Sequence, residues 1–381
     1  MKKAAACSHQ WISFFLAVLL IFPAVSGTEA EGTSAVPAEA EGEFVLSEQE
    51  EGFAPSGSGE SDPDGFLESD GQSGGLPGQL GENFDADDLP DGYLDKCDQQ
   101  GYVEKLRYKS SKGVNKICMV YVPYGYDATD EKYNVLYLIH ASSGDPENYL
   151  SPKRETSFKN LLDNMIADGV IRPMIVVAAT YYATEGDDSA KSSPLQVQVE
   201  ATENFPHEIV EDVIPLVEPQ YRTWLESEDE EGIVFSRNHR GIAGFSLGGV
   251  AAWNAFRTEM KAFRWFVPIS EASWADDEGG TSGIWDSDMS AEVLYNAILD
   301  QGYGPDDFRL FVATGSEDEA FDIATSQMVS LLDNYPDMFL TGENTSCSMM
   351  SNGKHKLSAV YTYMYHILPA LFREEPAPES E

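Results

Sequence analysis

The sequence predicts an α/β fold, with a mostly parallel central sheet covered by helices on both faces. Short apolar runs typical of buried strands alternate along the chain with segments whose apolar residues recur every three or four positions. This alternation of the two patterns indicates parallel strands joined by crossover helices. Apolar residues make up 42% of the chain and aromatic residues 11%, which is enough to bury the core of such a fold.

The predicted sheet begins with an antiparallel edge and continues with buried strands. Residues 102–108 alternate between polar and apolar side chains, as an edge strand does, and residues 116–122 read as its neighbour. The later runs are short, apolar and bounded by turn residues, which favours strands buried on both faces. These runs are 135–140, 173–179, 242–245, 265–269 and 309–313.

The helices are predicted from apolar residues spaced to lie on one side of a helix. In residues 205–217, for example, Ile209, Val210, Val213, Ile214 and Val217 follow this spacing. The same criterion predicts helices at 157–167, 250–256, 291–299, 324–332 and 357–372.

Both ends of the chain have compositions that set them apart from this domain, which we place at 93–372. Residues 1–27 have two lysines, a run of twelve residues that is apolar except for one serine, and small residues after it, as in a secretory signal peptide. Residues 28–92 contain eighteen acidic residues and no Lys or Arg, which predicts a disordered acidic linker. Residues 373–381 are predicted to be an acidic tail. The sequence therefore indicates a secreted protein, without stable membrane insertion after signal cleavage.

The charge of the chain excludes one class of partner. With 65 acidic and 24 basic residues the formal net charge is −41. Nucleic-acid backbones are bound mainly by Lys and Arg that displace counterions, so a nucleic-acid partner is not expected. The acidity is interpreted as a source of solubility, or alternatively as repulsion of acidic polymers such as pectin.

A serine between glycines carries the main chemical signal. Gly244, Ser246 and Gly248 form a G-x-S-x-G motif between a predicted strand and a predicted helix. In this context the motif indicates a sharp turn that presents the serine Oγ above the sheet as a nucleophile. Glycines are needed on either side because side chains would collide across the turn. The alternative is a glycine-rich packing turn without chemistry.

A serine nucleophile needs a base and an acid, which follow it along the chain in this type of site. Only His355 and His366 lie after Ser246, and His366 falls inside the last predicted helix. His355 lies in the loop before that helix and is predicted to be the base. Asp318 is predicted to be the acid, because it lies just past the glycine turn that ends strand 309–313. His140, His207 and His239 are interpreted as structural.

The oxyanion hole of such a site uses two backbone N–H groups. One is expected from Leu247, directly after the nucleophile and at the positive end of a helix. The other is expected from Ala141 or Ser142, in the loop after strand 135–140.

With these residues placed, the chain resembles the α/β-hydrolase esterases of the feruloyl esterase and acetylxylan esterase type, the esterase D-like group. The resemblance spans roughly residues 100–372. Its motifs are Val120–Pro123, Val135–His140, Asn204–Phe205, Asp212–Pro215, Tyr221–Thr223, Gly241–Gly249, Phe266–Ser270, Ser273–Trp274, Ala313–Asp318, Gly353–His355 and Leu368–Pro369. The chain departs from the family in having Ala141 where His-Gly-x-Gly is usual, and Lys354 in the histidine loop.

The resemblance implies a secreted serine carboxylic ester hydrolase that acts on feruloyl or acetyl esters of plant xylan. It implies an ester substrate as partner, and no metal or cofactor. Trp274 and Trp285 are candidates to stack on a sugar or aryl group, or else they only pack. The alternatives are a carbohydrate-binding or surface protein with little catalysis, and an acyltransferase with the same triad. Pairing of Cys97 with Cys118 is left open.

Overall fold

The computed structural model of the chain describes residues 83–85, 88–142, 144–182 and 193–373. Within them, nine strands form one sheet. In chain order they are β1 (Asn83–Asp85), β2 (Tyr102–Lys109), β3 (Asn115–Val122), β4 (Val135–Ile139), β5 (Ile175–Ala179), β6 (Arg240–Phe245), β7 (Trp265–Ile269), β8 (Arg309–Gly315) and β9 (Thr345–Ser351).

The sheet is parallel except at one edge, in the order β1-β9-β8-β7-β6-β4-β5-β3-β2. Strands β3 and β2 run antiparallel to their neighbours, and β2 is the edge strand. Strands β4 to β7 are buried along their whole length. A strand with helices on both faces needs apolar side chains on both faces, which explains the unbroken apolar runs. The predicted fold class is confirmed.

Helices cover both faces of the sheet. They are α1 (Ser157–Ala167), α2 (Leu195–Glu203), α3 (Phe205–Glu208), α4 (Ile214–Val217), α5 (Glu230–Ser236), α6 (Leu247–Thr258), α7 (Ser287–Asp300), α8 (Phe321–Asn334) and α9 (Leu357–Ile367). Helices α1 and α9 share one core with Tyr121 and Leu136, whereas α2, α3 and α6 to α8 pack into a second core with Val120 and Tyr137. The core therefore forms two layers, one on each side of the sheet.

The predicted helix at 205–217 is continuous but not uniform. Between α3 and α4 the chain widens into a π-helical turn, Ile209–Val213, in which the N–H of Ile214 bonds to the carbonyl of Ile209. Pro215 follows directly. Because proline has no N–H, it cannot continue the α-helical hydrogen bonds at this point. The apolar spacing predicted the buried face, but it did not reveal the widened turn.

Four elements were missed at the sequence level: α2, α5, β1 and β9. Strand β9 has the sequence TSCSMMS, in which Thr345 is the single β-branched residue and none is aromatic, although such residues usually mark a strand. It forms because its backbone pairs with β8 on one side and with β1 on the other. Its position in the sheet, rather than its composition, makes it a strand.

The boundary between acidic linker and domain is corrected. Strand β1 lies within the segment 28–92 that was predicted to be disordered, yet it pairs in parallel with β9. Its Phe84 is buried, stacks on His366 with ring centroids 4.2 Å apart, and contacts Tyr363 edge-on. The Phe84 side chain holds β1 against the domain, because it covers apolar surface that α9 would otherwise expose.

The predicted signal peptide, the linker up to residue 82 and the tail 374–381 lie outside the described residues. In the part of the chain that the structure describes, no helix is long and apolar enough to cross a membrane.

Candidate active site

Ser246 occupies a strained turn between β6 and α6. Its backbone has φ 56° and ψ −124°, a conformation that side chains disfavour. A Cβ on Gly244 would lie 2.1 Å from the Gly248 carbonyl oxygen, and a Cβ on Gly248 would lie 2.2 Å from the Ile139 carbonyl oxygen. Only glycine fits at either position. The Ser246 side chain makes no capping hydrogen bond to α6 and is partly exposed.

The acid and histidine loops meet at the same edge of the sheet. Asp318 follows β8 and His355 follows β9, and His355 Nδ1 lies 2.8 Å from Asp318 Oδ1. The loops are pressed together, since a Cβ on Gly315 would lie 2.2 Å from the Gly353 carbonyl oxygen. The N–H of Ala320 also donates to Asp318 Oδ1 at 2.8 Å. The carboxylate is therefore fixed before any substrate arrives.

The imidazole of His355 packs against Phe245, the residue before Ser246, with ring centroids 4.6 Å apart. Burial by itself lowers the pKa of His355. The hydrogen bond and charge of Asp318, together with the charges of Glu319 and Glu271, outweigh burial, so the net pKa is raised above its usual value. The ring is thus held in place and made more basic.

Asp318 is the acid that the fold brings to His355 among the carboxylates considered. Glu317 is exposed and pairs with Lys354 at 3.4 Å. Glu319 is exposed as well, and Asp322 lies in the first turn of α8. Asp318 is buried and points inward.

The other histidines have structural surroundings. Nε2 of His140 lies 2.7 Å from the Thr180 hydroxyl, and His239 stacks on Trp224. His366 lies in α9 against Phe84, and the exposed His207 pairs with Glu211 and with the buried Glu259.

The loop after β4 is held so that backbone N–H groups remain available. The Ala141 carbonyl accepts the Gly144 N–H at 3.0 Å, and the Tyr182 hydroxyl donates to the Ser142 carbonyl. Within the described residues, the N–H groups of Ala141, Ser142 and Leu247 donate no hydrogen bond. The close packing of Gly248 on Ile139 brings Leu247 next to this loop. An alanine at 141 is accommodated without loss of these donors.

Comparison with protein families supplies the identification. Residues 113–337 match the family model described as "Putative esterase". The matched segment includes Ser246 and Asp318 and more than half of the chain. The chain belongs to this esterase family.

Two solved structures have the fold of this esterase. A mutant of the feruloyl esterase module from Clostridium thermocellum, complexed with sinapinate, is 28% identical with a TM-score of 0.66, covering 81% of this chain and 100% of that one. A ferulic acid esterase from Anaeromyces mucronatus is 17% identical with a TM-score of 0.55, covering 74% and 96%. The first supports the resemblance to feruloyl esterases, and the second supports the α/β-hydrolase fold alone.

Two curated relatives are much longer than the part of them that matches this chain. Endo-1,4-beta-xylanase Y of Acetivibrio thermocellus is 31% identical over 289 residues, which is 75% of this chain and 24% of the relative. The endo-1,4-beta-xylanase/feruloyl esterase of Xylanibacter ruminicola is 30% identical over 155 residues, 39% of this chain and 19% of the relative. The chain thus spans about a quarter or less of these relatives. The matched residues 113–337 therefore assign an esterase domain to this chain.

The segment 270–285, called here the tryptophan loop, leaves the esterase sheet after β7. It carries both predicted aromatic residues, of which Trp274 is half-buried and Trp285 is 81% exposed. The Asp276 carboxylate accepts N–H groups from Glu278, Gly280 and Ser282 and the Ser282 hydroxyl. Hydrogen bonds from Ser282, first of all, lower the pKa of Asp276 to about 2. Hydrogen bonds within the tryptophan loop therefore stabilise it.

The sequence analysis did not predict Glu271 as a residue of the site. It is 7% exposed, and its charge acts on His355. Its position gave a signal that could have found it. It is the second residue after a strand parallel to the nucleophile strand, and residues there lie at the carboxyl edge of the sheet, where sites form.

The cysteines of the described residues do not pair. Cys97, Cys118 and Cys347 are free thiols. Burial raises the pKa of Cys118 and of Cys347 to about 12, so both thiols stay protonated.

Proposed function

We propose that this esterase is secreted and removes feruloyl groups from xylan through an acyl-enzyme, with Ser246, His355 and Asp318 as its triad. The observation that carries the triad is the 2.8 Å contact of His355 Nδ1 with the buried Asp318, next to the turn that presents Ser246. The feruloyl preference is supported by the likeness to a feruloyl esterase module bound to sinapinate. Secretion is supported by the signal-like sequence of residues 1–27.

In the first half of the reaction Ser246 Oγ attacks the ester carbonyl carbon while Nε2 of His355 takes its proton. Asp318 accepts a hydrogen bond from Nδ1 and stabilises the imidazolium. The carbonyl oxygen becomes an oxyanion held by the N–H of Leu247 and that of Ala141 or Ser142. The bond to the leaving alcohol then breaks, and His355 returns the proton to that alcohol.

In the second half water replaces the alcohol. His355 takes a proton from the water, the hydroxide attacks the acyl-enzyme, and Ser246 leaves with the proton that His355 gives back. Trp274 and Trp285 are proposed to contact the aryl or sugar part of the substrate. Aromatic faces suit both partners, because each offers a flat apolar surface.

The test replaces Ser246 with alanine and compares turnover of methyl ferulate, acetylated xylan and a short-chain aryl acetate. Wild type should turn over methyl ferulate best, and Ser246→Ala should lose about 10⁶-fold in kcat, since the nucleophile starts the chemistry. Ser270→Ala is the matched control, because Ser270 also has positive φ, at 53°, but is fully buried. It should keep its turnover.

Retention of more than about a hundredth of the wild-type rate by Ser246→Ala would contradict the assignment of the nucleophile. Preference for acetylated xylan would shift the proposal from feruloyl to acetyl esters. Absence of turnover on all three substrates by folded wild type would overturn the proposed hydrolase.

A further inference from the structure

The carboxylate of Glu271 is buried beside the candidate triad and is used by no step above. Its Cβ packs against the first turn of α6, since a Cβ on Gly249 would lie 3.1 Å from it. The Glu271 carbonyl accepts the indole N–H of the buried Trp253 at 3.1 Å. The backbone and Cβ of Glu271 are therefore fixed against Gly249, which lies three residues after Ser246 in the chain.

The carboxylate of Glu271 accepts a hydrogen bond from a second tryptophan, Trp274. Its Oε1 accepts the Trp274 indole N–H at 3.2 Å and the Ala272 N–H at 3.2 Å. Among the described residues, the ring nitrogen of Trp274 makes no other polar contact. The direction of this half-buried indole thus depends on Glu271.

The charge of the same carboxylate acts on His355. The charged groups that act on the imidazole are Asp318 and Glu319 from the loop after β8 and Glu271 from the loop after β7. Burial raises the pKa of Glu271 to about 7; its N–H donors and His355 act in the opposite direction, and Asp318 adds to the rise. A buried acid near neutrality is costly to keep in a fold and is typical of functional sites.

We propose that Glu271 is a positioning residue of this esterase, whose carboxyl group orients the Trp274 indole and, when ionised, acts electrostatically on His355. The inference deepens the proposed function and rests on it. It makes one side chain responsible for two properties, the fit of the aryl group and the pH at which the base is active.

The first experiment tests whether the hydrogen bond from Trp274 to Glu271, the anchor of the indole, matters apart from general packing. Glu271→Ala and Trp274→Phe each remove one partner of the same hydrogen bond, which should raise KM for methyl ferulate about two- to tenfold. The double variant should raise KM no further than the single variants, because the shared bond can be lost only once. KM for a short-chain aryl acetate, whose acyl group is small, should change less. Additive effects, or an unchanged KM for methyl ferulate, would overturn the anchoring role.

The second experiment tests the charge of Glu271 separately from its hydrogen bond with Trp274. Glu271→Gln keeps an acceptor oxygen but loses the charge, so the pKa of His355 should fall. Because catalysis needs the neutral imidazole, activity is lost as pH falls through the pKa of His355, and the acid limb of kcat/KM should move to lower pH. The matched control is Glu319→Gln, whose exposed charge also acts on His355. Its effect should vanish in about 0.5 M salt, whereas that of Glu271→Gln should persist.

An acid limb that Glu271→Gln leaves in place, or a shift that salt removes, would overturn the electrostatic role. A third measurement needs no turnover: the pKa of the His355 imidazole is followed by NMR in Ser246→Ala, with and without Glu271→Gln. Binding of ferulate to Ser246→Ala, with and without Glu271→Ala, tests the anchor in the same way. An inactive wild type would thus count against the proposed function alone, and unchanged titration and binding would count against Glu271.

Discussion

Two neighbouring loops of the esterase each bury an acid at the carboxyl edge of the sheet, and they hold it differently. The loop after β8 is short, and it gives Asp318 two contacts of 2.8 Å, from Ala320 N–H and to His355 Nδ1. The tryptophan loop is longer, and it gives Glu271 two contacts of 3.2 Å. Shorter hydrogen bonds to a carboxylate stabilise its charge better.

The difference shows how one edge of a sheet supplies two kinds of acid. Burial raises the pKa of Glu271 to about 7 and outweighs its hydrogen bonds with Ala272 and Trp274, which act to lower it. Asp318 is equally buried but faces the imidazole directly. Asp318 is hydrogen-bonded to His355, whereas Glu271 titrates in the neutral range.

Among changes in these two loops, the largest effect is expected at Asp318. Asp318→Asn should lower kcat by about 10⁴-fold, because the amide favours the wrong imidazole tautomer, as in other Ser-His-Asp sites. Turnover of a short-chain aryl acetate measures it. Glu317→Gln is the control in the same loop, and it should stay near wild type because Glu317 is exposed. The reverse pattern would assign the acid to Glu317.

A smaller effect is expected from a methyl group at the glycines that close the two loops. A Cβ on Gly315 would lie 2.2 Å from the Gly353 carbonyl oxygen, and one on Gly283 would lie 1.9 Å from the Ala275 carbonyl oxygen. Gly315→Ala should therefore lower kcat for every ester, whereas Gly283→Ala should mainly raise KM for methyl ferulate. Each should cost about 1–3 kcal/mol of stability, as overpacking does.

Steady-state kinetics on methyl ferulate and a short-chain aryl acetate, with thermal unfolding as a check on folding, distinguish the two glycine variants. If both variants lower kcat equally on both substrates, the expectation that the loop after β8 acts on kcat and the tryptophan loop on KM is wrong.

The last prediction concerns the stability of the fold rather than turnover. The pKa of Glu271 is raised in the folded state, from 4.5 to about 7, so the folded state binds this proton more tightly than the unfolded state does. Wild type therefore loses stability as pH rises through this window. Glu271→Gln removes the titration, and it should be more stable than wild type at pH 8 by up to about 3 kcal/mol. At pH 4 the two should be nearly equal.

Denaturant unfolding at pH 4 and pH 8 measures this difference, with Glu319→Gln as an exposed control that should show little change. A Glu271→Gln variant that is less stable than wild type at both pH values would indicate that the carboxylate is a structural requirement of the fold.

Much of the fold was predictable because its signals are local. The apolar runs at β4 to β8 and the spacing in α1 and α9 depend on which faces are buried, and a sequence records this directly. Strand β9 and Phe84 of β1 were not predictable in this way. Polar or isolated residues become strands only where another backbone is available to pair with them.

The sequence by itself determined the strand–helix alternation, the turn at Ser246 and the order in which serine, acid and histidine occur. These follow from residue periodicity and from the lack of room for any side chain at Gly244 and Gly248. Only the tertiary structure decided that Asp318, rather than its acidic neighbours, contacts His355, and that Glu271 joins them. Both depend on distances between loops that are far apart in the chain, and the burial that sets the pKa of Glu271 exists only once those loops have packed together.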